Sequence, residues 1–161
     1  ATTAKDMESD EEVWRTILDL TQEIGYKLKK NHLAARGIQI NVRDKNLFSC
    51  QYQMKLEYMT QSTLFLAQAA KLLFFKKHRF TTPLRSITVR AIDLVPEDTP
   101  QQLNLFAGYD KQDDIVRLEL AVDRLRERFG NKIVVPASLM ENSCRPTLST
   151  DFPKMPAPMY H

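Results

Sequence analysis

Apolar residues recur along the chain with two different periods, and these periods predict its secondary structure. Within residues 13–28 they return every three or four positions, which is the spacing of an amphipathic helix. Ser9 and Glu12 form a capping box in front of this segment, so the helix should begin there and end near Asn31. Gly25 lies inside the helix, where glycine costs roughly 1 kcal/mol relative to alanine, and it indicates close packing against a neighbour.

Two later segments alternate between apolar and polar residues at every second position. Residues 38–43 and 48–56 follow this pattern on either side of a turn at 44–46. They predict a hairpin with one buried face and one wet face.

The segments around this hairpin complete the pattern. Residues 1–7 are interpreted as the end of a strand, and Thr60 can cap a second helix that runs to about Lys77. The segment 84–91 predicts a further strand, with Ile87, Val89 and Ala91 as its inward set.

The predicted order is β-α-β-β-α-β, which favours an α+β fold. Such an order gives a four-stranded sheet with two helices on one face and the other face open to solvent. We expect this domain to span residues 1–97, followed by an exposed linker at 98–112. A helical extension with a short strand should occupy 113–140, and a Pro-rich tail 141–161.

The extension is predicted from its own periodicity. Asp113 and Asp114 can start a third helix, and Gly130 can stop it. Ile133 to Val135 form a short strand-like run. The apolar residues of the helix lie on one stripe: Ile115, Leu118, Val122, Leu125 and Phe129.

Composition excludes several classes of protein. The chain is 43% hydrophobic and 27% charged, as in soluble globular proteins, and it has no apolar run of the roughly 18 residues that a membrane span needs. Its first 12 residues are polar and acidic, unlike a signal peptide. Cys50 and Cys144 are far apart and form no metal-binding pattern, which favours a reducing, cytoplasmic location. The start at Ala1, without methionine, suggests a fragment or a processed protein.

Positive charge is concentrated in one part of the chain. Residues 13–90 contain 14 Lys and Arg against 4 Asp and Glu, a net charge of +10, whereas both flanking segments are acidic. This concentration favours a polyanionic partner such as nucleic acid. A solvated basic face that keeps the protein soluble is the alternative.

The polar positions of the predicted sheet form the first candidate site. Amides, hydroxyls and cations bind phosphate oxygens, and they hold a nucleic-acid backbone without reading its bases. The face lacks the exposed aromatic residues on which single-stranded bases stack. An ordinary wet sheet face is the alternative. The outward residues are Gln39, Asn41, Arg43, Ser49, Gln51, Gln53, Lys55, Ser86, Thr88 and Arg90.

The second candidate is a short peptide in the acidic linker: Gln102, Leu103, Asn104, Leu105 and Phe106. Its leucines and phenylalanine have no core of their own nearby. Such a segment typically docks into a pocket of another chain, with Leu and Phe as anchors. Alternatively, these side chains fold back on the sheet of their own domain.

Catalysis has little support in the sequence. His32, His78 and His161 are widely separated, and none lies near a cysteine or paired acids. Asp113 and Asp114 are better explained as a helix start than as a metal site. With four glycines in the chain there is no Gly-rich phosphate loop. We therefore do not expect this chain to be an enzyme by itself.

Together, these features resemble the C-terminal part of Y-family translesion DNA polymerases, the bacterial UmuC/DinB class. Residues 1–7 look like the end of the first strand of that family's little finger, and the order of elements up to Leu94 is similar to the whole little finger. Residues 102–106 look like the bacterial sliding-clamp-binding peptide. The segments 122–130 and 137–139 resemble the region that follows in Gram-positive members.

The resemblance implies a DNA-binding and clamp-tethering fragment of a translesion polymerase that acts in DNA damage repair, lesion bypass and the SOS response. Its partners would be duplex or primer–template DNA and the bacterial sliding clamp, with no membrane. The family's palm carboxylates, which hold magnesium for nucleotidyl transfer, have no counterpart in this chain. We therefore expect no cofactor here and magnesium in the parent polymerase. Two alternatives stay open: a non-catalytic relative that serves as a clamp and protein adaptor in a mutagenesis complex, or an unrelated ferredoxin-like nucleic-acid-binding module.

Overall fold

A computed structural model describes residues 2–79, 82–100, 110–130 and 133–140. Its elements are β1 (Thr2–Met7), α1 (Asp10–Lys30), β2 (Leu33–Asp44), β3 (Ser49–Thr60), α2 (Thr63–Lys77), β4 (Leu84–Pro96), α3 (Asp110–Phe129) and a short 3₁₀ helix (Ala137–Leu139).

The four strands form one antiparallel sheet in the order β1-β4-β2-β3. One face is covered by α1 and α2, whose apolar side chains share a core with alternate residues of the strands. Ile17 of α1 and Phe74 of α2 are fully buried there beside Ile38, Ile40 and Ile87 of the sheet. The predicted α+β fold is confirmed, including the strand before α1.

The sequence signals of α1 are confirmed in the structure. The Ser9 hydroxyl accepts a hydrogen bond from the Glu12 backbone N–H at 3.2 Å, and the Glu12 carboxylate accepts one from the Ser9 N–H at 3.3 Å. Gly25 is buried against the start of α2, where a Cβ atom would collide with the Thr63 side chain and lie 3.2 Å from its Cα. The close packing expected at Gly25 is therefore present.

The cap of α2 differs from the prediction. The N-cap is Ser62, whose hydroxyl accepts from the Phe65 backbone N–H at 3.5 Å, and not Thr60. Thr60 still belongs to β3, and its hydroxyl accepts from the Ser62 N–H at 3.1 Å. Because β3 continues further than its alternating pattern indicated, the helix begins later.

The prediction for the end of the chain needs three corrections. The strand predicted at 84–91 continues further, and β4 ends at Pro96. The third helix begins at Asp110 rather than at Asp113. The predicted strand at Ile133–Val135 is absent: these residues are irregular, because the Arg126 guanidinium binds the Val134 carbonyl at 2.8 and 3.1 Å in place of a strand ladder.

Candidate nucleic-acid interface

The structure brings all ten predicted sheet residues together on the face opposite the helices, which we call the open face. Nine of them form three rows that cross the sheet from β4 through β2 to β3. The rows are Ser86–Arg43–Ser49, Thr88–Asn41–Gln51 and Arg90–Gln39–Gln53. Lys55 lies in the next row, opposite Gly37.

The charged residues among these ten are all cations. Arg43, Lys55 and Arg90 are exposed and belong to three different strands, and none of the ten residues is a carboxylate. Neighbouring strands are about 4.8 Å apart, and rows two residues apart are separated by about 7 Å. The cations are therefore spread over the face, with amides and hydroxyls between them. This arrangement suits an extended anion better than a compact one.

An apolar contact limits the open face at one end. Ile92 pairs with Gly37 in the row of Lys55, and a Cβ atom on Gly37 would lie 2.8 Å from Ile92 Cγ1. The Ile92 side chain therefore lies over Gly37. Beyond this row the pairing of β2 with β3 becomes irregular. The regular rows of the open face thus end where β3 leaves its regular ladder.

The turn between β2 and β3 limits the open face at the other end. Asp44 fixes its shape: its carboxylate accepts from the Phe48 backbone N–H at 2.9 Å, and its carbonyl accepts from the Leu47 N–H at 3.1 Å. Thr82 donates to the same carboxylate at 3.4 Å, and the Lys45 N–H binds the Pro83 carbonyl at 3.1 Å.

The side chains at the tip of this turn were missed by sequence reasoning, which counted Phe48 as a strand residue. Leu47 is 54% exposed and Phe48 is 68% exposed. Leu47 has a φ of 68°, a left-handed conformation that costs a leucine about 1–3 kcal/mol. The sequence did contain a signal for this exposed pair. Two large apolar residues lie directly after a turn, while the alternating residues of both strands already supply the core.

The predicted clamp-binding peptide, Gln102 to Phe106, lies outside the described residues. It belongs to the connection between β4, which ends at Pro96, and α3, which begins at Asp110.

The helix that follows this connection packs on α1 and α2 through a polar network. The Glu119 carboxylate accepts from the Ser62 hydroxyl at 2.8 Å and from the backbone N–H groups of Thr63 and Leu64 at 3.0 Å each. A side chain of α3 thus satisfies free N–H groups in the first turn of α2.

Lys29 of α1 completes this network. Its side chain is 6% exposed, and its ammonium lies 3.2 Å from Glu119 and 2.7 Å from Asp123. Arg126 of α3 donates to the Gln22 side chain of α1 at 2.9 Å. A small cleft of about 200 Å³ lies beside these contacts, between α1 and α3.

The predicted apolar stripe of α3 does not form this contact as a whole. Leu118, Leu125 and Phe129 are exposed, while Ile115 and Val122 are half-buried. The least exposed face of α3 therefore combines Glu119, Asp123 and Arg126 with Ile115, Val116 and Val122.

The two described histidines, His32 and His78, lie in different surroundings. His78 ends α2, and its ring lies 5.1 Å from the ring of Phe74 and 6.2 Å from that of Tyr52. Burial lowers the pKa of His78 below its usual value of 6.5, and the nearby Asp44 charge opposes this shift. His32 is exposed and lies 2.7 Å from the Glu97 carboxylate.

Within residues 2–79, 82–100, 110–130 and 133–140 there is no cluster of three or more His, Cys, Asp or Glu residues that could hold a metal ion. No helix in these ranges combines the length and apolar character that a membrane crossing requires.

Known proteins similar to this chain point to one family. The chain is 34% identical over 129 residues to DNA polymerase IV of Acetivibrio thermocellus. This match covers 80% of the chain and 32% of the relative, so the chain spans about a third of that protein's length. Among solved structures, it is similar to a chain in the complex of the beta-clamp processivity factor and the little finger domain of PolIV. That match has a TM-score of 0.46 and 15% identity, and it covers 68% of this chain and 94% of the other.

The family model of the impB/mucB/samB C-terminal domain matches residues 1–105. The match includes β1 to β4 with both helices of the core, and it ends within the predicted clamp-binding peptide. This confirms the resemblance found in the sequence. The chain therefore belongs to the impB/mucB/samB family and carries its C-terminal domain.

Proposed function

We propose that this chain is the DNA-holding and clamp-tethering part of a Y-family translesion DNA polymerase. The single observation that carries the proposal is the open face, where ten polar residues from three strands include three cations and no carboxylate. Family membership and the similarity to a DNA polymerase IV support it further.

The chemistry of the open face favours contact with phosphates over contact with bases. Lys and Arg neutralise phosphates and release counterions, while Ser, Thr, Asn and Gln donate hydrogen bonds to phosphate oxygens. A face that binds the backbone in this way depends little on base identity. That property suits a polymerase that must hold duplex DNA next to a damaged base.

The tether is proposed for Gln102 to Phe106, which would bind a bacterial sliding clamp with Leu105 and Phe106 as anchors. The described structure supports this only through the surroundings of the peptide. β4 before it pairs with β2, and α3 after it is bonded to α1 and α2, so the connection starts and ends on the same body.

The proposal extends to the longer protein that the relative's length implies. Its catalytic part would be a DNA-directed DNA polymerase with magnesium held by palm carboxylates, acting in the cytoplasm in lesion bypass. The alternative hypothesis, a non-catalytic adaptor, predicts the same contacts with clamp and DNA but no nucleotidyl transfer. A primer-extension assay on the full-length protein separates the two, because only a polymerase lengthens the primer.

A titration of the chain with fluorescent primer–template DNA at several salt concentrations tests the open face. We expect salt-sensitive binding with little sequence preference. Replacing Arg43, Lys55 and Arg90 by Ala should weaken binding and flatten the slope of log affinity against log salt by up to about 0.9 per lost phosphate contact.

The control variant removes three exposed lysines from the helical layer: Lys27, Lys76 and Lys77 to Ala. It changes the net charge equally but leaves the open face intact, so its salt slope should stay close to that of the wild type. Equal losses in both variants would mean that net charge, and not the open face, governs binding. Unchanged binding in the open-face variant would overturn the assignment of these residues.

For the tether, a pull-down with a bacterial sliding clamp should retain the chain. The Leu105→Ala and Phe106→Ala double variant should lose this retention. Equal retention of the wild type and the variant would rule out the peptide as the contact.

A further inference from the structure

The tip of the β2–β3 turn has properties that the open face does not explain. Leu47 and Phe48 present two large apolar side chains to solvent at 54% and 68% exposure. Solvent-exposed leucines are common singly, but an adjacent exposed Leu–Phe pair on a strained turn is not a by-product of core packing. The core in this region is already filled by Val42 and its neighbours.

The turn holds this pair in a fixed position. Asp44 binds the backbone N–H groups of Leu47 and Phe48 through its carbonyl and its side chain, and the Asp44 N–H binds the Phe48 carbonyl at 3.0 Å. Thr82 supports the Asp44 carboxylate from the neighbouring segment. A contact made by a preorganised turn loses little conformational entropy on binding.

The surroundings of the tip indicate the kind of partner. Arg43, a member of the open face, donates from Nε to the Leu47 carbonyl at 3.4 Å, so the tip continues the first row of that face. Lys45 is exposed beside it, and the carboxylate of Asp44 is engaged within the turn. Apolar side chains framed by cations match a surface whose phosphates flank apolar sugars and base edges.

We propose that Leu47 and Phe48 form an apolar tip that contacts deoxyribose and base edges in a groove of the duplex held by the open face. This inference rests on the proposed function of that face. It adds a second kind of contact, which is apolar and independent of counterion release.

The apolar tip and the cations of the open face should respond differently to salt, and this difference provides the test. Leu47→Asn with Phe48→Ser removes both apolar side chains while keeping a residue that tolerates a left-handed backbone. We expect roughly tenfold weaker binding to primer–template DNA at every salt concentration, since burial of such side chains contributes on the scale of one decade in affinity. The slope against salt should be unchanged, in contrast to the Arg43, Lys55 and Arg90 variant.

A matched control carries the same changes on the helical layer. Leu72→Asn with Phe75→Ser removes an exposed leucine and an exposed phenylalanine of α2, so DNA binding should equal that of the wild type. Thermal unfolding of both variants checks that they are folded. A benzophenone amino acid at position 48 should also crosslink to the duplex on illumination.

Each outcome decides a different point. Wild-type affinity of the Leu47→Asn, Phe48→Ser variant, or a crosslink to protein alone, overturns the inference and leaves the open face intact. A loss of affinity accompanied by a flatter salt slope also overturns it, because the tip would then act through the cations. If the wild-type chain binds no duplex at all, the proposed function fails as well.

Discussion

The helices α2 and α3 contact α1 in opposite ways. α2 packs beside α1 on the sheet through apolar side chains, with Leu66, Leu73 and Phe74 at most 2% exposed. α3 contacts the same two helices through carboxylates and a guanidinium. Lys29 and Glu119 lie at the centre of this polar contact. The first contact depends on the apolar surface area that it buries, whereas the second depends on a few hydrogen bonds and ion pairs.

This difference predicts how each contact fails. Apolar burial has no preferred direction, so it declines gradually as atoms are removed. A buried ion pair needs both partners, because removal of one leaves an uncompensated charge away from water. We therefore expect the sheet with α1 and α2 to unfold as one unit, and α3 to open separately at a lower free energy.

The separate opening of α3 bears on the proposed tether. Residues 97–109 connect β4 to α3, so docking of α3 fixes both ends of the segment that contains Gln102 to Phe106. When α3 opens, one end is released. The reach of the peptide would then increase without any change in the core.

The largest effect on stability should come from a change in the apolar core beneath α1 and α2. Replacing Phe74 by Ala removes a fully buried aromatic ring and should lower the free energy of unfolding by about 3–5 kcal/mol. Urea denaturation followed by circular dichroism measures this. Phe75→Ala on the exposed side of the same helix is the control, and a similar loss in both variants would contradict the core assignment.

The next largest effect should be confined to the polar contact of α3 with α1 and α2. Lys29→Met removes the cation of Glu119, leaves Asp123 with Arg126 at 3.9 Å, and should weaken the docking of α3 by about 3 kcal/mol. Hydrogen exchange should then become about 100-fold faster in α3 and at the first-turn amides of α2, with the sheet amides unchanged. Lys27→Met, an exposed neighbour, should leave all of these rates as they are.

Loss of protection throughout the sheet in Lys29→Met would break the comparison. It would mean that α3 and the core open together. Unchanged exchange in α3 would mean that the network does not hold the helix.

The sequence predicted the apolar contacts better than the polar ones, for a physical reason. A stripe such as Val13, Ile17 and Leu28 repeats within one element, and the element's period reveals the buried side. The contacts of Glu119 join residues 55 to 57 positions apart, and no local pattern encodes them. For this reason the docking of Glu119 on the first turn of α2 was missed.

The features of the candidate site also differ in how well the sequence predicts them. The common face of residues such as Gln39, Gln53 and Arg90 follows from the period of two, so its membership could be predicted. The alignment of these residues in rows depends on the register between strands. The exposed tip at Leu47 and Phe48 depends on hydrogen bonds to Asp44, which alternation does not reveal.

A smaller effect tests how tightly α1 and α2 meet. Gly25→Ala places a methyl group against Thr63, and the overpacking cost of about 1–3 kcal/mol should exceed the gain in helix propensity of about 1 kcal/mol. Urea unfolding should show net destabilisation. Adding Thr63→Ala removes the nearest atom and should recover part of the loss, whereas strictly additive losses would rule out this contact as the cause.

The smallest effect concerns the pH dependence of the apolar unit. Burial lowers the pKa of His78 below 6.5, so the unfolded chain binds this proton more readily than the folded one. Its contribution to stability is fully present above about pH 6.5 and declines as the pH falls toward the lowered value. Urea midpoints between pH 7.5 and 5.5 should therefore fall more in the wild type than in His78→Gln. Because His78 contacts Phe74 in the core and not α3, this difference should appear in global unfolding, and a pH effect limited to exchange in α3 would contradict it.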